Sequence, residues 1–516
     1  MPEVNMNVQG QCFTATGQRR PVGDARPNIL LIISDEHNAN VMGCAGDSII
    51  QTPSMDRLAR EGVMFQNCYT NCPICVPVRA AMTAGKYVSR IGSWNNFSML
   101  PPATPSIARV LNAAGYDSYL VGKMHYDNSC RYGFKDLWWN MNSEHRTGLG
   151  PPRFAADDFS NEGGYPHFET EFGIAESSTI MRQAQRVTNG ITDFLGSYDP
   201  ADKPFFAIVG YEGPHLPMIL PQAYYDLYKG RIPMPFVQDG DIEKLPRNYR
   251  QLRNIMRAHK LSDEKLRYFR ELYYAQTQFI DEHIGHTLAA LDKSLHANNT
   301  IIIYTTDHGE MLGEHGMLWK GAMYEESARV PLIVSYPKRW KGGQTRRGAC
   351  SLLDVTRTVA DVAGADVPLD WNGSSLVPWL DDPSVRWKDL AVSEYYAQQI
   401  SSGFSMLRMG PWKYVYHTSA DPKHGPEREL FNLETDPHEF TNLANSPDHQ
   451  SLIRDLHAAL VREVGEDPES IELRARFDIS IGYNRPPGDP PAMSLDNYPV
   501  PQTQGDADPK QLRRTL

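Results

Sequence analysis

The run Asn28-Ile-Leu-Leu-Ile-Ile-Ser34 is apolar at every interior position and breaks abruptly into Asp35-Glu36. Such a run, with no polar alternation, suits a strand covered on both faces, as in a parallel sheet flanked by helices. The pattern recurs along the chain. Tyr116 to Val121 leads into Gly122-Lys123-Met124-His125, and Pro204 to Gly210 leads into Glu212-Gly-Pro-His215. Thr300 to Thr306 leads into Asp307-His308-Gly309-Glu310, and Val330 to Val334 reads as a fifth strand. Pro53 to Glu61 and Leu272 to Leu291 read as helices. The predicted fold is α/β, with a large mixed, mostly parallel sheet flanked by helices. In such sheets the carboxyl ends of the strands share one edge, where ligands bind. One strand ending in Asp is ordinarily a helix cap. Four endings that bring carboxylates, imidazoles and a lysine to one rim point to a reactive site.

Around Pro383 the pattern changes. Ala391 to Tyr395, Phe404 to Arg408 and Trp412 to Tyr416 read as short strands, and His449 to Val464 as a helix. This predicts a smaller C-terminal antiparallel sheet plus helix. The expected division is a polar extension over 1–26, a catalytic domain over 27–385, an α+β subdomain over 386–481 and a tail over 482–516. The tail is rich in Pro, Asp and Gln and has little to form a core. It is expected to pack across a neighbouring subunit of a homo-oligomer, a dimer or tetramer. Glu144 to Gly173 and Arg231 to Arg250 read as long excursions, a form often taken by lids and substrate walls.

Lys and Arg total 51 against 62 Asp and Glu, a net charge of −11. No basic stretch is long enough to track a phosphate backbone, which argues against a nucleic-acid partner. No apolar run approaches the ~20 residues of a membrane span, and residues 1–26 lack the apolar stretch of a signal peptide. A cytoplasmic protein is expected. The seven cysteines, an odd number in a long chain, do not imply a disulfide framework.

Asp35, Glu36 and Asp307 supply hard oxygen ligands, and His308 can add a nitrogen. That mixture suits calcium, magnesium or manganese better than zinc. In Cys72-Pro-Ile-Cys75-Val-Pro77-Val-Arg79-Ala-Ala-Met-Thr83-Ala-Gly85, Pro77 suits a first helical turn and Gly85 a helix end. Cys75 is therefore placed at a helix N-terminus, where the dipole favours anions and is expected to lower a thiol pKa. Three other readings stand beside this: a buried structural cysteine, a redox C-x-x-C with Cys72, and half of a zinc site.

Cys75-Val-Pro77-Val-Arg79, with Thr83-Ala-Gly85 downstream, resembles the C-x-P-x-R signature of type I sulfatases. The resemblance extends through Gly122-Lys123-Met-His125, Gly-Pro-His215, Thr306-Asp307-His308-Gly309, Gly316 to Pro331, and Glu429 to Leu443. Arylsulfatase-like, choline-sulfatase-like and phosphonate-monoester-hydrolase-like branches all fit. The resemblance implies an alkaline-phosphatase-like fold. It also implies oxidation of Cys75 to 3-oxoalanine (formylglycine) by a formylglycine-generating enzyme. One divalent metal, calcium before manganese or magnesium, would be held by Asp35, Glu36, Cys75, Asp307 and His308. Arg79 would stabilise the nucleophile, Lys123 and Lys320 would bind sulfate oxygens, His215 would protonate the leaving oxygen and His125 would release sulfate. Asn96 matches a substrate-site asparagine. Val78, Glu36 and His308 stand where many members carry Ser or Ala, Asp, and Asn respectively.

The implied reaction is hydrolysis of small-molecule sulfate monoesters. A phosphonate monoester or phosphodiester hydrolase is the second reading, and a non-catalytic binder of sulfated ligands the third. Tyr126, Trp138 and Trp139 read as core or wall residues, with an aromatic leaving-group pocket as the alternative.

Overall fold

The computed structural model describes residues 26–126, 130–137, 153–160, 171–199, 203–237, 240–397 and 399–483. Its strands are β1 (Asn28–Asp35), β2 (Val63–Tyr69), β3 (Asp117–Gly122), β4 (Lys135–Asp136), β5 (Phe172–Ile174), β6 (Phe205–Pro214), β7 (Met218–Leu220) and β8 (Thr300–Thr306). They continue as β9 (Arg329–Val330), β10 (Leu332–Ser335), β11 (Gln344–Ser351), β12 (Leu390–Tyr395), β13 (Phe404–Met409), β14 (Trp412–His417) and β15 (Glu427–Asn432). The main sheet runs β11-β2-β10-β8-β1-β6-β3-β4, with β9 also on β2. β12 to β15 form a separate antiparallel sheet.

β1 lies near the middle and is buried throughout. It runs parallel to β6 and β8, with Leu30 opposite Ala207 on one side and Ile302 on the other. Burial on both faces is why its sequence is continuously apolar. On one face Leu31, Phe206 and Ile208 line one small cavity with Met82, Ile107 and Val359 from three helices, one of them α2 (Cys75–Ala84), the helix that follows α1 (Pro53–Glu61) and β2. The helices Thr179–Ser197 and Asp263–Lys293 pack on β6 and on each other. The Gln183 side-chain amide donates to the Gly210 carbonyl at 2.9 Å.

The Asp263–Lys293 helix begins earlier than its apolar spacing predicts. Ser262 caps it by accepting from the Lys265 amide at 3.3 Å, and Asp263 and Glu264 complement the dipole of the first turn. Those opening turns are polar, so hydrophobic periodicity does not register them.

Several elements differ from expectation. Val330 to Val334 is two strands, because Pro331 has no N–H to donate to a ladder. Val330 pairs with Cys68 of β2, while Leu332 pairs antiparallel with Thr305 of β8. β2 and β11 carry polar residues within them and offer no apolar run to detect. The small sheet has a fourth strand, β15, and the helix Gln450–Val464 is followed by a second, Pro468–Ser480. The Arg231 to Arg250 excursion contains the short helix Asp241–Lys244 and the start of Arg247–Ile255. Tyr126 is a core residue, its hydroxyl 2.6 Å from that of Thr83. Trp138, Trp139, most of the Glu144 to Gly173 stretch and the tail from residue 484 lie outside the described residues. Among the described residues no helix is long and apolar enough to cross a membrane.

Ile32, fully buried in β1, tests the central position of that strand. Ile32→Ala is expected to cost about 2–5 kcal/mol and to lower the thermal midpoint visibly. Leu369→Ala, at a fully exposed side chain, should leave it unchanged. Equal midpoints for the two variants would contradict this packing.

Candidate active site

The chemistry gathers where β1, β3, β6 and β8 end. Asp35 closes β1, Lys123 follows β3, His215 follows β6 and Asp307 follows β8. α2 enters this rim at Cys75. Its N-cap, Ile74, is extended and has no capping side chain. The Asn96 side chain compensates, its Oδ1 accepting from the Val76 amide at 3.1 Å. At the other end Gly85 takes φ 67 and donates its N–H to the Ala81 carbonyl.

Arg79 lies one turn into α2 and is fully buried. Its Nε donates to Asp307 Oδ2 at 2.9 Å, and a terminal nitrogen donates to Asp35 Oδ2 at 2.9 Å. Its other terminal nitrogen donates to the Lys123 carbonyl at 2.7 Å. One guanidinium thus joins three strand ends. Lys123 Nζ adds a 3.1 Å contact to Asp35 Oδ2 and lies 3.6 Å from Glu212 Oε1. Lys320 Nζ donates to Glu36 Oε2 at 2.6 Å, and His215 Nε2 lies 3.3 Å from the same oxygen. His215 Nδ1 faces the Leu216 carbonyl at 2.8 Å, which leaves Nε2 directed at the site.

Cys75 Sγ lies among these groups, 3.1 Å from His308 Nε2, 3.5 Å from Lys320 Nζ and 3.9 Å from Asp35 Oδ1. Asp35, Cys75, Asp307 and His308 offer ligand atoms within 4.8 Å of one another. Asp35, Glu36 and His215 make a second, overlapping group. Glu36 is therefore brought to the site but stands on its His215 side. Its Oε1 is buried without a hydrogen-bond partner. An orphaned carboxylate oxygen beside two more carboxylates and an imidazole fits a divalent cation.

The electrostatics correct one expectation. The Cys75 thiol is pushed up to about 12, by burial first and then by the Asp35 charge. The helix dipole does not make it a thiolate, because desolvation and two carboxylates oppose the charge. Burial alone would raise Asp35, yet Lys123, Arg79 and Lys320 hold it well below the usual carboxylate range. Burial, together with neighbouring Glu310, raises Glu36 well above that range despite Lys320. Burial, with Lys320 and Lys123, holds His215 well below 6.5, and burial, with Lys123 and Arg79, does the same for His125, so both are neutral. His125 takes φ 54, and its Nδ1 is buried with no partner.

Other residues hold this arrangement without having been assigned to it from sequence. Glu310 Oε1 accepts from the amides of Leu312 at 3.0 Å and Trp319 at 2.6 Å, closing the loop that presents Lys320. The Tyr273 hydroxyl donates to the Glu36 carbonyl at 2.7 Å, and Gln276 donates to the His215 carbonyl at 2.7 Å. Glu310 directly follows the Asp-His-Gly block and was visible there. Tyr273 and Gln276 sit in a long helix and carry no local signal.

Known proteins share both sequence and fold. The sulfatase family model matches residues 27–365. A second model, N-sulphoglucosamine sulphohydrolase, C-terminal, matches residues 313–466. An arylsulfatase of Clostridium perfringens is 29% identical over 470 residues, covering 85% of this chain and 94% of that protein. A choline-sulfatase of Rhizobium meliloti is 30% identical over 466 residues, covering 84% and 86% respectively. The solved phosphonate monoester hydrolase of Agrobacterium radiobacter superposes with a TM-score of 0.71 at 22% identity, over 85% of this chain and 96% of that one. The last likeness is one of fold alone. Since the family match spans the sheet, α2 and every residue of the rim, the chain belongs to the sulfatase family of the alkaline phosphatase superfamily and is a sulfuric ester hydrolase.

Proposed function

We propose that this enzyme hydrolyses sulfate monoesters, in the manner of an arylsulfatase, with Cys75 converted to formylglycine as the source of the nucleophile. The observation that carries the reading is the position of Cys75, within 3.9 Å of Asp35, His308 and Lys320. An unmodified thiol held at about 12 is a poor nucleophile there. Since Cys75 is only 2% exposed, its converting enzyme would act before the fold closes. Asp35, Glu36, Asp307 and His308, with the modified residue 75, would hold one divalent cation. Hard oxygen donors favour calcium, then manganese or magnesium. The cation supplies Lewis acidity, and the hydrated aldehyde supplies an oxygen nucleophile.

The chain's own residues do the rest. Arg79 fixes Asp35 and Asp307 and lends positive charge to the nucleophile. Lys123 and Lys320 remain protonated and hold the anionic oxygens of the ester as point charges. His215 presents Nε2 to the leaving oxygen. The negative charge of a bound ester offsets the field of the two lysines and favours a protonated imidazole. Neutral His125 accepts the proton whose removal releases sulfate. Asn96 orients the first turn of α2 through Val76. A homo-oligomer built through residues 482–516 is part of this reading, on the composition of that segment.

The second reading, a phosphonate monoester or phosphodiester hydrolase, uses the same groups. Comparing kcat/KM for an aryl sulfate and an aryl phosphonate decides between them. Sulfate preference is expected. A phosphonate preference of ~100-fold, about 2.7 kcal/mol, would reverse the assignment.

Peptide mass spectrometry after co-expression with the converting enzyme should find an aldehyde at position 75, and Cys75→Ala should be folded but inactive. Retained turnover in that variant would remove Cys75 from the chemistry. Lys123→Ala is expected to lower kcat by about 10²–10³-fold, the usual cost of losing one preorganised oxyanion contact. Arg79→Met leaves two buried carboxylates without their shared cation. It should destabilise the metal-free protein by about 3–5 kcal/mol, read as a fall in thermal midpoint; an unchanged midpoint would mean that the bridge is not structural.

A further inference from the structure

A second convergence of ligand-type side chains shares no residue with the site around Cys75. His315, Glu326 and Glu439 are buried, and each offers one ligand atom within 4.8 Å of the others. They come from three separate segments: the turn Glu314–Gly316, the helix Glu325–Ala328 and the chain beyond β15. A cavity of about 670 Å³ lined by Glu325, Glu326, Arg329 and His438 reaches the Glu326 side of the cluster.

An internal ion-pair network is the simplest account of such a cluster, and it covers only part of this one. Lys413 Nζ reaches the Met323 carbonyl at 2.8 Å, Glu325 Oε1 at 2.7 Å and Glu439 Oε1 at 2.7 Å. These contacts use its three protons. Arg329 is committed to Glu325 at 2.8 Å. Glu326 receives neither cation. Its Oε2 is buried with no hydrogen-bond partner, and the residue is only 8% exposed. Leaving a carboxylate oxygen in that state is costly unless something charged or polar meets it.

The imidazole is arranged to complement that oxygen. The His315 ring stacks on Tyr324 at 3.8 Å with an interplanar angle of 6°. The ring shares its 4.8 Å cluster with the carboxylates of Glu326 and Glu439. Burial holds His315 down at about 4, and so neutral. Burial also pushes Glu326 up to about 7 and Glu439 up to about 8. Glu439 is engaged by Lys413 through Oε1 and by the Glu325 amide through Oε2 at 2.7 Å, whereas Glu326 Oε2 has no partner. His315 and Glu439 also sit at φ 53 and φ 56, left-handed backbone that the surrounding structure must hold in place.

We propose that His315, Glu326 and Glu439 bind a second divalent cation of the zinc type, distinct from the one at Cys75. An imidazole with carboxylates suits zinc or manganese better than calcium. The ion joins the chain that follows the C-terminal sheet to the loop that carries Lys320, five residues beyond His315. Its role is to hold that loop in place, and it touches no reacting atom.

The test uses the full chain, stripped with a chelator and dialysed against zinc, with metal content measured by mass spectrometry. Wild-type protein should hold about one zinc per chain more than His315→Ala, and zinc should raise the thermal midpoint of the wild type but not of the variant. Glu326→Gln, nearly isosteric at a carboxylate without an ion-pair partner, repeats the comparison if His315→Ala fails to fold. Cys75→Ala should keep this zinc, which separates the result from the fate of the sulfatase mechanism. Equal zinc content in the wild type and in a folded variant at either position would overturn the proposal.

Discussion

Arg79 is the contact on which the site depends. Its guanidinium reaches Asp35 at the end of β1, Asp307 at the end of β8 and the Lys123 carbonyl after β3. All three partners are buried, so the charge cannot be exchanged for water without large cost. A planar fork with fixed donors can bridge two carboxylates at set angles in a way that a lysine cannot. The sheet brings the strand ends together, and Arg79 fixes their spacing. α2 then places Cys75 over the space between them.

Charge balance explains why this rim tolerates so many buried ionisable groups. Asp35 is held as a carboxylate by Lys123, Arg79 and Lys320 acting against its burial. Glu36, one residue later, faces Glu310 as well as Lys320 and is pushed the other way. The same burial raises the Cys75 thiol. The site therefore disfavours a thiolate at position 75.

The loop from Gly309 to Lys320 shows how distant parts of the chain support one lysine. Glu310 binds the amides of Leu312 and Trp319. Lys413 on β14 binds the Met323 carbonyl just beyond it. Glu439, following β15, accepts from the Glu325 amide at 2.7 Å. The C-terminal sheet and the chain after it thus hold the segment that directly follows the Lys320 loop.

The sequence by itself determined the sheet's centre and the chemistry at its edge. β1 and the first half of β6 are buried on both faces, so their apolar runs were continuous, and β8 is nearly so. The short spacing of Cys75, Pro77 and Arg79 likewise fixed a helix start with a cation one turn in. Polar strands such as β11 gave no such signal, because their partners, and not their composition, make them strands. Only the tertiary structure decided the direction of the Cys75 shift, which side of the site Glu36 faces, and the part played by Glu310, Tyr273 and Gln276. Those outcomes depend on desolvation and on distances between residues far apart in the chain. Neither quantity is encoded in any local pattern of residues.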